Sequence, residues 1–210
     1  MINSYDYQSK ANIQCLLEDI EYSERKEALF TLFDELRKAD VRWGLACSTN
    51  LFIRGIVDEF HDLDLIVDIR SIPKVEKIMK EQGAILKETG GNGYCESDMY
   101  MHFQFGRVDV DVISGFRVIT FGTHFEYYFN PEELQFIELK DKNIPLISVE
   151  ALYLLYSMME GWQARRRFKR VLIEEYLLAE KIEFPQILES ALGANLPGWI
   201  KRNIAGLLNK

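Results

Sequence analysis

The alternation of apolar and polar positions divides the chain into a mixed α and β region followed by a helical region. Apolar residues recur every three to four positions over 24–39, which predicts an amphipathic helix. Two further helices are predicted, over roughly 49–54 with Ser48 as N-cap and between Ser71 and Gly83. Short apolar and β-branched runs predict strands over 41–47, 62–68, 84–88, 99–105 and 107–113.

The strands at 99–105 and 107–113 flank Gly106 and predict a hairpin. A glycine-rich loop is expected over 89–97, and short strands with a brief helix near Pro131 are expected over 116–147. After Ser148 the period becomes helical, and the predicted helical segments are 149–160, 164–181 and 185–209, the last broken near Pro197.

This order predicts an α/β (α+β) layer with a C-terminal helical bundle. We expect a first domain over 1–147 and a helical subdomain over 148–210.

Two of the predicted strands carry carboxylates at alternate positions. Asp62 and Asp64 lie on the first, and Asp109 and Asp111 lie on the second. Side chains two apart along a strand point to the same face. Because like charges held this close repel each other, each pair suggests a site for something strongly positive, most simply a divalent metal.

Composition excludes several classes of protein. The chain has 210 residues, of which 48% are hydrophobic, and a formal net charge of −8, which describes a globular protein and argues against nucleic acid as a partner. No stretch is apolar enough for a membrane span, and the N-terminus has no signal-peptide pattern. The three scattered cysteines match neither a zinc site nor a disulfide framework, so we expect a cytoplasmic protein.

The segment from Ala46 to Asp64 combines a small-residue turn, a helix start at Ser48 and the first acidic strand. Free backbone N–H groups at a helix start attract anions, and Mg²⁺ on nearby carboxylates could hold a triphosphate. Arg54 follows this helix and either contacts a phosphate or pairs with Asp58 or Glu59.

With these residues, the chain resembles the DNA polymerase beta-like nucleotidyltransferase superfamily. The resemblance covers roughly 24–180 and is carried mainly by 43–67, with support from 108–113 and from the helix after Ser148. Within the superfamily the chain looks most like the small bacterial enzymes that modify lincosamides and aminoglycosides. The shared pattern is a strand, a Gly-Ser turn into a helix, an Asp-x-Asp strand and a later acidic strand.

The resemblance implies a mixed sheet with flanking helices, and it implies a role for each matching residue. Cys47, Ser48 and Arg54 would bind the nucleotide, and Asp62 and Asp64 would hold Mg²⁺ in a two-metal site. Either Asp109 or Asp111 would be the third carboxylate, acting as metal ligand or general base.

The implied activity is Mg²⁺-dependent transfer of a nucleoside monophosphate from an NTP to a hydroxyl group. The acceptor would be a small molecule, such as an antibiotic, or a macromolecule.

One position departs from the family pattern, since Cys47 stands where glycine is expected. Glycine lets the backbone approach a phosphate closely, and a cysteine side chain could crowd it. An alternative function is therefore a non-catalytic module of the same fold, or a toxin–antitoxin component that acts through protein contacts.

Two other sets of polar residues have simpler interpretations. The basic run 165–170 either contacts substrate phosphates or an anionic partner such as a nucleic acid, or, as we expect, forms a solvated helix face paired with acids such as Glu174. The three histidines, His61, His102 and His124, lack ligand spacing, so we expect solvent or core roles for them.

Overall fold

A computed structural model describes residues 4–90, 95–120, 122–161 and 163–210. Within these residues the chain forms eight α-helices and one eight-stranded sheet. The helices are α1 (Ser4–Glu18), α2 (Ser23–Lys38), α3 (Cys47–Ile53), α4 (Ile72–Glu81), α5 (Val149–Met159), α6 (Ala164–Ala179), α7 (Pro185–Gly193) and α8 (Gly198–Leu208). The strands are β1 (Trp43–Ala46), β2 (Leu63–Val67), β3 (Ile85–Thr89), β4 (Cys95–Phe105), β5 (Val108–Thr120), β6 (Thr123–Tyr127), β7 (Leu134–Leu139) and β8 (Lys142–Ile147).

The sheet is mixed, with the strand order β3-β4-β5-β2-β1-β8-β7 and with β6 paired to β5. β1 runs antiparallel to β2, whereas β2 and β5 are parallel. The central strands are apolar and fully buried, as expected where both faces of a sheet are covered. The predicted fold class, a mixed sheet with flanking helices and a C-terminal group of helices, is confirmed.

The chain forms two compact units. The first contains the residues up to Gly90, together with Ser97–Gly115 and Tyr128–Ile147. The second contains 95–96, Phe116–Tyr127 and Ser148–Lys210, and so joins one β-hairpin to the C-terminal helices. The acidic strand segments and α3 all belong to the first unit.

In the second unit, every residue of α5 is buried. Glu150 is 2% exposed, and its Oε1 accepts hydrogen bonds from the backbone N–H groups of Glu183 and Phe184, at 2.8 and 3.1 Å. These donors lie at the start of α7, where N–H groups lack partners within the helix. A buried carboxylate on α5 therefore caps α7.

The last residue of the basic run on α6 forms the predicted ion pair but does not lie on a solvated face, since the Arg170 side chain is only 12% exposed. Arg170 pairs with Glu174 one turn further along the helix, and its Nε donates to Glu160 at 2.9 Å. The predicted pairing with Glu174 is confirmed.

The N-terminal helix α1 is absent from the sequence predictions. It buries Asn12 and Leu16, and the Asn12 amide donates to the carbonyls of Phe52 and Val57, at 2.7 and 2.9 Å. The helix is anchored partly by a polar side chain, so a pattern of apolar positions gives little sign of it.

Two local predictions are wrong in detail. Ser48 lies inside α3 and Ala46 occupies the N-cap position. The expected loop over 89–97 is already strand from Cys95 onwards, and its residues 91–94 lie outside the described part of the chain.

Candidate active site

Three carboxylates meet at one end of the two central parallel strands. Asp64 on β2 is the register partner of Asp111 on β5, and Asp62 directly precedes β2. One ligand atom from each of these aspartates lies within 4.8 Å of the others. Carboxylate oxygens are the ligands that Mg²⁺ prefers, so the donor set fits this ion.

The two aspartates of the second acidic strand differ in their surroundings. Asp111 belongs to the cluster, and its side chain is 20% exposed. Asp109 lies on the same face two residues earlier, but its side chain is 56% exposed. Of the two alternatives for the third carboxylate, the structure brings Asp111 to Asp62 and Asp64.

The first turn of α3 is tied to the acidic strand by side-chain hydrogen bonds. Ser48 Oγ donates to Asp62 Oδ1 at 3.1 Å, and Thr49 Oγ1 donates to the Asp62 carbonyl at 2.6 Å. Both side chains are buried. The start of the helix is thereby held beside the carboxylates.

Cys47 opens α3 with a φ of 47°, in the left-handed region that favours glycine. A side chain in this region is sterically strained. The backbone at Cys47 thus has the conformation that a glycine would adopt readily, so the cysteine has not forced the chain out of the left-handed region.

Arg54 follows α3, and its guanidinium group donates hydrogen bonds to one side chain and to one backbone carbonyl. Its Nε donates to Asn50 Oδ1 at 2.7 Å, and its Nη2 donates to the Ile147 carbonyl at 3.3 Å. Asn50 is fully buried and donates to the carbonyls of Leu45 and Ile147, both at 2.8 Å. Arg54 and Asn50 together link α3 to β1 and β8.

Tyr100 and His102 on β4 complete the surroundings of Asp111. The Tyr100 hydroxyl donates to Asp111 Oδ1 at 3.1 Å, and His102 Nδ1 lies 2.7 Å from the same oxygen. His102 Nε2 lies 3.6 Å from Asp109. The solvent or core role expected for His102 is therefore wrong.

A signal for this pair exists in the sequence. Only Gly106 and Arg107 separate β4 from β5, so His102 and Asp111 lie at equal distances from the turn. Residues opposite each other in a hairpin interact. Counting residues back from the predicted turn would have identified His102 as the residue opposite Asp111.

Burial raises the pKa of the Asp111 carboxyl, while the hydrogen bonds from His102 and Tyr100 act in the opposite direction. The pKa of the Tyr100 hydroxyl is raised by burial and by the charge of Asp111. Tyr100 therefore stays a neutral donor to the carboxylate.

Comparison with known proteins identifies the fold. No model of a protein family and no curated protein sequence matches the chain. Among solved structures, TM1012 of Thermotoga maritima, described as a candidate nucleotidyltransferase, is similar to it with a TM-score of 0.56 and 20% identity, covering 72% of this chain and 94% of that one.

Two antibiotic-modifying enzymes share the fold as well. ANT(2")-Ia, solved with adenylyl-2"-tobramycin, has a TM-score of 0.54 and 11% identity, over 79% of this chain and 97% of that one. The lincosamide adenylyltransferase LnuA, solved with lincomycin, has a TM-score of 0.50 and 17% identity, over 71% and 96%. The chain thus has the nucleotidyltransferase fold.

Among the described helices, none is both long enough and apolar enough to cross a membrane.

Proposed function

We propose that this protein is a Mg²⁺-dependent nucleotidyltransferase that transfers a nucleoside monophosphate from an NTP to a hydroxyl group of a small molecule. The observation that carries the proposal is the convergence of Asp62, Asp64 and Asp111 beside the start of α3, in a chain with this fold. A hydroxyl acceptor, such as that of an antibiotic, is in keeping with the substrates of ANT(2")-Ia and LnuA. The cytoplasm is the compartment we propose for it.

Each residue of the site has a proposed role. Asp62 and Asp64 hold metal, and Asp111 is either the third ligand or the base that takes the proton of the acceptor hydroxyl. Ser48 and the backbone at Cys47 lie where the triphosphate would approach the helix start, with Arg54 behind them. Bound to these carboxylates, Mg²⁺ would neutralise phosphate charge and polarise the reacting phosphoryl group.

In the proposed reaction the acceptor oxygen forms a bond to the α-phosphorus of the NTP. The bond between the α-phosphorus and the bridging oxygen breaks, and pyrophosphate leaves. The hydroxyl proton passes to a carboxylate, for which Asp111 is the best-placed group because Asp109 lies outside the cluster.

Calorimetric titration of ATP and GTP in the presence and absence of Mg²⁺ tests the proposal. We expect Mg²⁺-dependent binding in the wild type and its loss in Asp64→Ala. Asp141→Ala is the matched control, since Asp141 is an exposed acidic residue in the turn between β7 and β8. The absence of Mg²⁺-dependent binding in the wild type, together with no effect of Asp64→Ala, would refute the proposal. Release of pyrophosphate on addition of candidate acceptors then identifies the second substrate.

The second candidate function is a non-catalytic module of the same fold, and the cysteine at position 47 is the observation that favours it. Cys47→Gly distinguishes the two functions. A gain in triphosphate affinity would indicate a binding site that has decayed, whereas a loss of affinity would place Cys47 in a working site.

A further inference from the structure

Asp111 has two carboxylate oxygens with different surroundings. Its Oδ1 is shared by the Tyr100 hydroxyl and by His102 Nδ1, at 3.1 and 2.7 Å. In the part of the chain that the structure describes, no hydrogen bond reaches Oδ2. A carboxylate oxygen offers two lone-pair positions, so two donors leave Oδ1 little capacity for a further partner.

The geometry points to a role for Tyr100 and His102 as positioning residues that select the metal. They keep Asp111 a monodentate ligand, which binds through one oxygen, and so favour Mg²⁺ over Ca²⁺. This inference rests on the proposed metal site of Asp62, Asp64 and Asp111.

The physical reason lies in the different demands of the two ions. Mg²⁺ requires octahedral coordination at 2.0–2.1 Å, which suits one oxygen from each carboxylate. Ca²⁺ takes six to eight oxygens at 2.3–2.6 Å and often uses both oxygens of one carboxylate. Because Tyr100 and His102 occupy Oδ1 of Asp111, only Oδ2 is left to bind a metal ion. Ca²⁺ therefore cannot use both oxygens of this carboxylate.

The donors are suited to hold this arrangement. The Tyr100 phenol carries an O–H donor at neutral pH, and this hydroxyl lies 3.1 Å from Asp111 Oδ1. An ionised carboxylate only accepts hydrogen bonds, so a proton on His102 Nδ1 must supply the second bond. Both donors lie on β4, and β4 is hydrogen-bonded to β5, which carries Asp111. The position of the oxygen is thus set by the sheet and not by a loop.

The test measures binding of metal alone. Mn²⁺, which also favours octahedral oxygen sites, is titrated into the protein and the free ion is followed by electron paramagnetic resonance. Mg²⁺ or Ca²⁺ then competes, which gives the ratio of their affinities. The variants Tyr100→Phe and His102→Phe each delete donor atoms and keep an aromatic ring.

We expect each variant to shift the affinity ratio toward Ca²⁺, and the double variant to shift it by about tenfold, the lower end of the effect typical for partners of metal ligands. His102→Asn, whose amide can replace the Nδ1 donor, should restore most of the preference for Mg²⁺. Tyr7→Phe and His124→Asn are matched controls at exposed positions and should leave the ratio unchanged.

The outcomes separate this inference from the proposed function. Mn²⁺ binding with the same Ca²⁺ to Mg²⁺ ratio in the wild type, Tyr100→Phe and His102→Phe would overturn the inference and leave the metal site intact. Absence of Mn²⁺ binding in the wild type would overturn the inference, and the titration of ATP and GTP with Mg²⁺ would then decide separately on the proposed function. Thermal unfolding of each variant checks that it is folded, and if His102→Phe is not, Tyr100→Phe and His102→Asn still decide the question.

Discussion

Asp64 and Asp111 are direct partners in the parallel pairing of β2 and β5, so two carboxylates stand side by side in a largely buried part of the sheet. Like charges opposite each other on neighbouring strands destabilise a sheet. A fold that needed only stability would place apolar or oppositely charged residues here. The arrangement is explained if the protein binds a cation at this point.

The first prediction concerns Asp111→Asn. Because burial raises the pKa of Asp111, folding favours its neutral form, and the ionised form reduces stability. This loss of stability is absent below the pKa that Asp111 has in the unfolded chain and complete above the pKa that it has in the folded protein. At pH 7 and without metal, Asp111→Asn should therefore melt at a higher temperature than the wild type, while nucleotidyl transfer falls by more than about 100-fold.

Differential scanning calorimetry in a chelating buffer measures the first effect and pyrophosphate release the second. Added Mn²⁺ should raise the melting temperature of the wild type but not of Asp111→Asn. A lower melting temperature for the metal-free variant would contradict this account of the site.

The second prediction concerns the left-handed backbone at Cys47. Glycine adopts this conformation without the steric strain of a β-carbon, which costs about 1–2 kcal/mol in other residues. Cys47→Gly should therefore be more stable than Cys47→Ala by about 1 kcal/mol, since both variants lose the thiol and only alanine keeps the strain. Urea denaturation of the two variants measures the difference, and equal stabilities would show that the strain is absent.

The third prediction concerns pH and the Asp68 carboxylate. Arg70 donates to Asp68 through its side chain and its backbone N–H, and the side-chain bond is the main reason that the pKa of Asp68 falls to about 2. A lowered pKa in the folded protein contributes stability that is complete above the unfolded pKa of about 3.9 and is lost as the pH falls toward 2.

Asp68 is the N-cap of a short 3₁₀-helix over Ile69–Ser71. Asp68→Ala should consequently cost about 1 kcal/mol at pH 7, the usual effect of removing an N-cap, and progressively less below pH 4. Denaturant titrations of both proteins between pH 2 and 7 give this difference directly. Asp141→Ala serves again as the control at an exposed turn, and a difference that did not vary with pH would exclude the ion pair as its cause.

The fourth prediction concerns Asn50, which satisfies two buried carbonyls from β1 and β8 with one amide. Asn50→Ala removes this donor from the Leu45 and Ile147 carbonyls, of which Ile147 keeps its hydrogen bond from Arg54 Nη2. The variant also removes the acceptor of Arg54 Nε, and a buried polar group left without a partner costs about 1–3 kcal/mol. We expect a destabilisation of roughly 2 kcal/mol or more, measured by chemical denaturation. Asn143→Ala on β8, whose side chain is exposed, should change stability little.

The alternation of apolar and acidic positions predicted a large part of this protein. The Asp-x-Asp pattern at Asp62 and Asp64 required both side chains to share one face, since this follows from strand geometry alone. The hairpin at Gly106 and the helices after Ser148 were also predictable, because glycine turns and helical periods are local signals.

The tertiary structure decided what depends on strands and helices distant in sequence. Asp109 and Asp111 are equivalent by alternation, and only the register of β5 against β2 brings Asp111 to Asp64. The pairing of His102 with Asp111 is local to the hairpin at Gly106, whereas the meeting of Asp111 with Asp62 and Asp64 depends on the distant pairing of β5 with β2. The sequence by itself therefore determined which residue types face one way, while packing determined which of them meet, because pairing register is set by the whole sheet and not by any one strand.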